Sequence, residues 1–227
     1  MTVTIVGAGP GSADLITLRG ARALARASVV LHDALVDPAL REMAPGAEWI
    51  DVGKRGFCDS TAQARINALL VQHARAGGHV VRLKGGDPSV FGRLDEELEA
   101  LAAAGLACEI VPGVTAAIAA AADLQRPLTR RGSGRSVALS TAMTRAGQLV
   151  ATRGADTEVF YMAGRQLAAL SRRLLGAGWP PATPVAVVSR AGWPDRHASD
   201  HRVDTLAEAV VLHGGRPTVV VVGVGAA

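Results

Sequence analysis

The stretch Arg82-Leu-Lys-Gly-Gly-Asp-Pro-Ser-Val-Phe-Gly-Arg93 concentrates groups that can hold and orient a ligand. Two adjacent glycines after the β-branched run Val80-Val81 let backbone come close to a ligand, because no Cβ stands in the way. Asp87 can accept hydrogen bonds there, and Pro88 fixes the turn that presents it. Lys84 and the two arginines bring positive charge to the same turn. Strand-end loops of this kind are where open α/β sheets bind ligands.

A second glycine cluster, Gly7-Ala-Gly9-Pro-Gly11-Ser12, also follows a strand pattern. It approaches the G-x-G-x-x-G dinucleotide fingerprint. The third glycine arrives one residue early, however, and Pro10 removes an amide that a pyrophosphate would use. Asp33 stands past the second strand pattern, where a dinucleotide fold would hold a ribose hydroxyl. The same carboxylate could act as a general base, or simply begin the turn Asp33-Ala-Leu-Val-Asp-Pro38. Lys54 follows a further strand pattern, Trp49–Val52, and the chain's lysines, 54 and 84, both adjoin glycine turns. Pro112-Gly-Val-Thr-Ala-Ala117 follows a strand and opens a helix. Its amides and the Thr115 hydroxyl could hold a polar ligand or simply cap that helix. Met162 ends a strand and could pack on an adenine or fill core. The histidines form no metal-ligand spacing, and Cys58 and Cys108 form no Cys-x-x-Cys pair.

These groups need strands that end side by side. The first half alternates strand and helix. Val3–Val6 reads as a strand, followed by a helix from about Ser12 or Asp14 to Arg26 and a strand over Ser28–Leu31. Ser60-Thr-Ala-Gln63 is a capping box, and its helix ends at Gly77-Gly78. Next come a strand over His79–Leu83, a helix over Asp95–Ala104 stopped by Gly105, and a strand over Cys108–Val111. This alternation predicts an α/β fold with a largely parallel sheet. From Pro112-Gly113 the character changes to an Ala-rich helix over Gly113–Ala122 and a polar connection over 123–134. Strands follow at Ser136–Ser140, Thr157–Met162, Pro184–Ser189 and Thr218–Val222, with helices near Gly164–Leu175 and Thr205–His213. The pattern predicts two domains, 1–112 and 113–227.

The bulk numbers narrow the partners. A chain of 227 residues, 49% hydrophobic and 19% charged, is globular. Its net charge of +4 permits nucleic acid, but the basic residues are scattered and aromatics are 3%, a poor supply for base stacking. The basicity is nearly all arginine, which suits a bidentate grip on carboxylates or phosphates. An acidic small molecule fits this better than a duplex. The N-terminus runs straight into a strand pattern with no leader-like region, and no apolar stretch is long and unbroken enough to span a bilayer. The expectation is a cytoplasmic protein with no nucleic-acid or membrane partner.

Seven segments carry a resemblance that covers nearly the whole chain in order. They are Val6-Gly-Ala-Gly-Pro-Gly-Ser-Ala-Asp-Leu-Ile-Thr-Leu-Arg-Gly20, His32-Asp-Ala-Leu-Val36, Val52-Gly-Lys-Arg55, Arg82–Arg93, Val111-Pro-Gly-Val-Thr-Ala-Ala117, Pro127-Leu-Thr-Arg-Arg131 and Tyr161-Met162. Together they resemble the tetrapyrrole (corrin/porphyrin) methylase family. The resemblance implies two α/β domains with a cofactor cleft between them, and a homodimer. It implies S-adenosylmethionine as methyl donor, with S-adenosylhomocysteine as product. The implied reaction is methylation of uroporphyrinogen III, or a related acidic tetrapyrrole, at C2 and C7 to give precorrin-2. By motif matching, the cofactor would meet Pro10, Gly85, Gly86, Asp87, Val90, Thr115, Ala116, Met162 and Ala191. Asp33 would be the proton acceptor and Lys54 the proton donor. Arg93, Glu96 and Arg131 would face the substrate.

The chain departs from the family's pattern at several places. Leu94-Asp95 stand where Gly-Gly is usual, Ser89 replaces a usual Phe, Cys58-Asp59-Ser60 fill a segment that often carries His, and Thr141-Ala142 replace Gly-His. These positions lie toward the expected substrate side. Rival readings are therefore a methyltransferase on a later precorrin intermediate and a cofactor-binding paralogue with altered substrate. An NAD-dependent oxidoreductase is favoured by the first glycine cluster and Asp33 alone.

Overall fold

The structure is a computed structural model and describes residues 2–53, 60–143 and 149–227. The chain divides into two compact units, Met1–Thr115 and Ala116–Ala227.

In the first unit, β1 (Thr2–Gly7), β2 (Val29–His32), β3 (Glu48–Asp51), β4 (His79–Lys84) and β5 (Cys108–Val111) form one sheet in the order β3-β2-β4-β1-β5. Every pairing is parallel. Parallel neighbours need crossovers, and α1 (Leu18–Leu24), α2 (Ser60–Ala76) and α3 (Leu94–Ala103) lie in them. Alternate strand residues face opposite ways. Val6, Val81 and Leu83 pack with Ala23, Leu24 and Leu40 on one face. Val3, Ile5 and Val80 pack with Leu70, Ala74 and Leu101 on the other. By the same alternation, Arg82 and Lys84 share the face of Val80, and both are buried. The central strands β4 and β1 send the chain to opposite sides of the sheet, β1 on to β2 and β4 on to β5. Their C-terminal ends form a switch point of the kind at which such sheets take ligands.

The helix expected over 12–26 is split. Ala13–Leu15 is a single 3-10 turn, and α1 starts only at Leu18, where the Thr17 hydroxyl accepts the Gly20 amide at 3.1 Å. The first glycine cluster therefore opens no α-helix, and the dinucleotide reading loses the helix N-terminus it needs.

The second unit contains α4 (Ala116–Leu124), β6 (Val137–Thr141), β7 (Thr157–Tyr161), α5 (Leu167–Gly176), β8 (Pro184–Ser189), β9 (His197–Arg202), α6 (Val210–His213) and β10 (Thr218–Gly223). Its sheet order is β6-β7-β10-β8-β9. Only the β6–β7 pairing in it is parallel. Leu167, Leu170 and Leu174 of α5 pack on Phe160, Val187 and Val220. The sequence reading has no strand at 197–202. That segment, His-Ala-Ser-Asp-His-Arg, carries no β-branched or aromatic residue, and its pairing to β8 at the sheet edge makes it a strand. The helix expected over 205–213 is a 3-10 segment at Leu206–Ala209 followed by the short α6.

α6 ends on His213, which is fully buried. Its Nδ1 lies 2.6 Å from Ser189 Oγ and its Nε2 lies 2.8 Å from Ser199 Oγ. Burial first, then the charges of His201, His197 and Arg216, push its pKa down to about 4 from 6.5. Because the folded value is below the unfolded one, the unfolded chain takes up the proton first. The contribution is therefore full above pH 6.5 and is lost as pH falls toward 4. Thermal denaturation across that range should show a loss on the order of 3 kcal/mol from this residue. The His213→Gln variant should show a flatter pH profile than the parent.

Candidate functional site

The parallel registers set Gly7 beside Lys84, His32 beside Leu83 and Val6 beside Val111. Four strands therefore release their chains at one edge of the first sheet. The glycine turns that follow are tied together. The Ala8 amide donates to Lys84 O at 2.8 Å, the Gly86 amide to Gly9 O at 2.7 Å, and the Gly9 amide to Gly86 O at 3.3 Å. Asp87 adds the turn after β5: its Oδ2 accepts the Gly113 amide at 2.9 Å and its Oδ1 accepts the Ser89 amide at 2.8 Å.

This closeness demands glycine. A Cβ on Gly113 would stand 2.4 Å from Gly86 O and 2.8 Å from Gly7 Cα. Gly86 is needed for another reason, its φ of +72°. Neither reason holds at Gly85. It has no positive φ, and a Cβ there would meet only Leu35 Cβ at 3.7 Å, an ordinary contact. Gly85 is exposed at the strand end. Its bare backbone serves no packing need and leaves room for a ligand to approach.

Asp33 follows β2 at the same edge. Its amide donates to Leu83 O at 3.2 Å, and its Oδ1 accepts Arg82 Nη2 at 2.5 Å. Arg82 Nε donates to Glu97 Oε1 at 2.9 Å, and Lys84 Nζ donates to Glu97 Oε2 at 2.9 Å. Asp33, Arg82, Glu97 and Lys84 thus alternate in sign. The last three are buried, while the Asp33 side chain is 33% exposed. Burial pushes the Arg82 guanidinium down, but Asp33 and Glu97 together outweigh it and hold its pKa above the usual value. Burial, reinforced by the Arg82 charge, lowers Lys84 despite Glu97. The expectation that Lys84 and two arginines offer positive charge to a ligand is therefore corrected for two of the three. Arg93 is also paired, its Nε and Nη2 donating to Glu96 at 2.5 and 2.6 Å. Glu97 escaped the sequence reading. The available signal was the i, i+2 spacing of two cations inside an apolar strand, followed by a helix that opens Leu94-Asp95-Glu96-Glu97.

Pro10, Asp33, Gly85, Gly86, Asp87, Val90, Arg93, Glu96 and Thr115 belong to the loops and first helical turn that leave this edge. Lys54 lies outside the described residues. In the second unit, Ala116 opens α4, Met162 follows β7 with φ +57°, and Ala191 follows β8 between Arg190 at +53° and Gly192 at +76°. β7 and β8 both run antiparallel to β10, so Met162 and Ala191 leave the same end of the second sheet. The Ala117 amide donates to Tyr161 Oη at 3.3 Å and fixes the start of α4 at that end. Arg131 is not brought there. It sits in the Arg130–Gly134 turn, where Gly134 abuts Val224 just past the end of β10, at the opposite end of the sheet.

Comparison with known proteins agrees with the geometry. The family model for Tetrapyrrole (Corrin/Porphyrin) Methylases matches residues 2–210. A uroporphyrinogen-III C-methyltransferase of Pseudomonas aeruginosa is 47% identical over 193 residues, which is 83% of this chain and 79% of that protein. A siroheme synthase of Edwardsiella ictaluri is 44% identical over 227 residues, 97% of this chain but 49% of that protein, so the chain spans about half the siroheme synthase's length. A solved structure of uroporphyrin-III C-methyl transferase from Thermus thermophilus, complexed with S-adenyl homocysteine, superposes with TM-score 0.86 at 37% identity, covering 98% of this chain and 97% of that one. A cobalt precorrin-4 methyltransferase superposes with TM-score 0.84 at 31% identity, covering 98% of this chain and 94% of that one.

The two kinds of glycine separate experimentally. Gly113→Ala should cost about 1–3 kcal/mol of stability, since backbone must move to admit the methyl group. Gly85→Ala should leave the melting temperature close to the parent's. Thermal denaturation of both variants checks the contrast.

Proposed function

The chain belongs to the tetrapyrrole (corrin/porphyrin) methylase family, and we propose that it is an S-adenosylmethionine-dependent C-methyltransferase that methylates uroporphyrinogen III at C2 and C7 to give precorrin-2. The observation that carries this reading is the pairing, on neighbouring strand ends, of a bare Gly85 turn with an anchored but part-exposed carboxylate, Asp33. Such a reaction sets it in porphyrin and sirohaem biosynthesis.

The turn at Gly85 fits a cofactor whose methionine end lies against backbone. The sulfonium group supplies an already activated methyl, so the chain has mainly to orient it against a nucleophilic carbon. We assign that task to Pro10, Gly85, Gly86, Asp87, Val90 and Thr115 in the first unit, and to Ala116, Met162 and Ala191 in the second. Asp33 takes the proton that the methylated carbon skeleton releases. Arg82 holds its Oδ1, and the described residues place no hydrogen bond on its Oδ2. Lys54 is the proposed proton donor.

The substrate carries many carboxylates, which arginines grip and steer. Arg93 and Glu96 stand at the far end of the glycine-aspartate loop and are assigned to that side. Arg131 is assigned to the substrate on its motif alone, its turn lying at the opposite end of its sheet from Met162. A homodimer accords with the exposed Val137 and Leu139 on β6, an edge strand of the second sheet. No helix among the described residues is long and apolar enough to cross a membrane. Leu94 and Asp95 favour a second reading, a later precorrin intermediate as substrate, because they adjoin the Arg93–Glu96 pair.

Incubation with S-adenosylmethionine and uroporphyrinogen III should give a product heavier by two methyl groups, read by mass and absorbance. No gain in mass would overturn the reading, and methylation of a later intermediate alone would establish the second one. Asp33→Asn should lower turnover by about 10²–10⁴ while S-adenosylhomocysteine affinity stays near the parent's. Equal loss of both would make Asp33 a structural residue.

A further inference from the structure

Arg82 touches the proposed chemistry only through Asp33, and Glu97 and Lys84 have no part in it, yet the three side chains are 2%, 0% and 3% exposed. Burying charge is expensive, and a buried ion pair is often no better for stability than apolar side chains of similar size. Apolar contacts of that kind are present on the same face, where Val80 and Leu101 pack together. Contact between β4 and α3 therefore does not explain the charges.

Their geometry does. The Arg82 guanidinium is fixed by hydrogen bonds from Nε to Glu97, from Nη1 to Leu31 O at 3.3 Å and Leu83 O at 3.1 Å, and from Nη2 to Asp33. The first three set the plane of the group, and with it the direction from which Nη2 meets Asp33 Oδ1. Glu97 is fixed in turn by Lys84 and by Gln63 Nε2 at 3.4 Å. We infer that Arg82, with Glu97 and Lys84 behind it, is a positioning device that pins one oxygen of Asp33 and leaves the other turned to the substrate. The inference rests on the proposed function, in which Asp33 accepts the proton. A planar fork can fix the orientation of a carboxylate, whereas a lysine at 82 would act as a point charge on a flexible stem. The four groups alternate in sign, and Asp33 supplies the carboxylate that balances the two buried cations against Glu97.

A double-mutant cycle on kcat tests this, with Asp33→Asn, Glu97→Gln and the two combined. Glu97→Gln alone should lower kcat by about tenfold or more, with KM for uroporphyrinogen III and affinity for S-adenosylhomocysteine near the parent's. In the Asp33→Asn background the same substitution should change kcat by less than about twofold, because nothing is left to position. Arg82→Lys, which keeps the charge and loses the fork, should repeat this pattern and serves in place of Glu97→Gln where that variant does not fold. An equal loss in both backgrounds would make the network structural and overturn the inference while leaving the proposed function intact. Absence of methylated product from the unaltered chain would remove both.

Discussion

Gly7, Gly86 and Gly113 meet so closely that a single added Cβ at Gly113 would lie 2.4 Å from a carbonyl oxygen. The rest of the first unit's active edge depends on that contact. Neighbouring strands are about 4.8 Å apart, so the turns that leave them collide unless their side chains are absent. With glycine at these positions the turns after β1, β4 and β5 can hydrogen-bond to one another, and Asp87 can clasp the last of them through the Gly113 amide. The turns are thereby tied into one rim, with the bare backbone at Gly85 leaving the strand next to the one that Asp33 follows. Preorganisation of this kind is what methyl transfer from an activated donor asks of a protein.

Much of this was legible from composition and spacing. Fully buried parallel strands read as continuous β-branched runs, and Val80-Val81 was recognisable on that ground. What was not legible had identifiable causes. The break before α1 was masked because apolar residues on both sides fit one helical stripe, although Thr17 is a good N-cap. The strand β9 has no local propensity and exists because β8 offers an edge to pair with. The mixed directions of the second sheet follow from which connections are short, a tertiary matter that periodicity does not carry.

The candidate site divides in the same way. Gly85, Gly86 and Asp87 sit within one turn, so their relation is written in consecutive residues. The relation of Asp33 to Arg82 spans 49 residues and is fixed by register, His32 beside Leu83. No local pattern announces it. Glu97 adds a third element to the same cluster, so the charge that Arg82 and Lys84 bring to the turn in the sequence is neutralised by a residue from another element. The Pro127–Arg131 motif shows the converse limit: contiguity says nothing about which end of a sheet a turn will reach, and the turn with Arg131 reaches the end away from Met162.

The loop from Arg82 to Arg93 therefore holds two arginine–carboxylate contacts of opposite character. Arg82 and Glu97 are closed to water, and each is held by a further partner of opposite charge, Asp33 and Lys84, so neither side chain has freedom to move. Arg93 and Glu96 are 35% and 40% exposed and lie on one helical turn, a setting in which a pair contributes only about 0–1 kcal/mol. The first pair is fixed geometry. On the substrate-side role proposed for Arg93, an incoming carboxylate would meet a pair of this weaker kind. The adjacent Asp95 adds negative charge to that turn and further favours the charged form of Arg93. The departure from the family's usual Gly-Gly thus changes the charge beside Arg93 and leaves Gly85, Gly86 and Asp87 as they are.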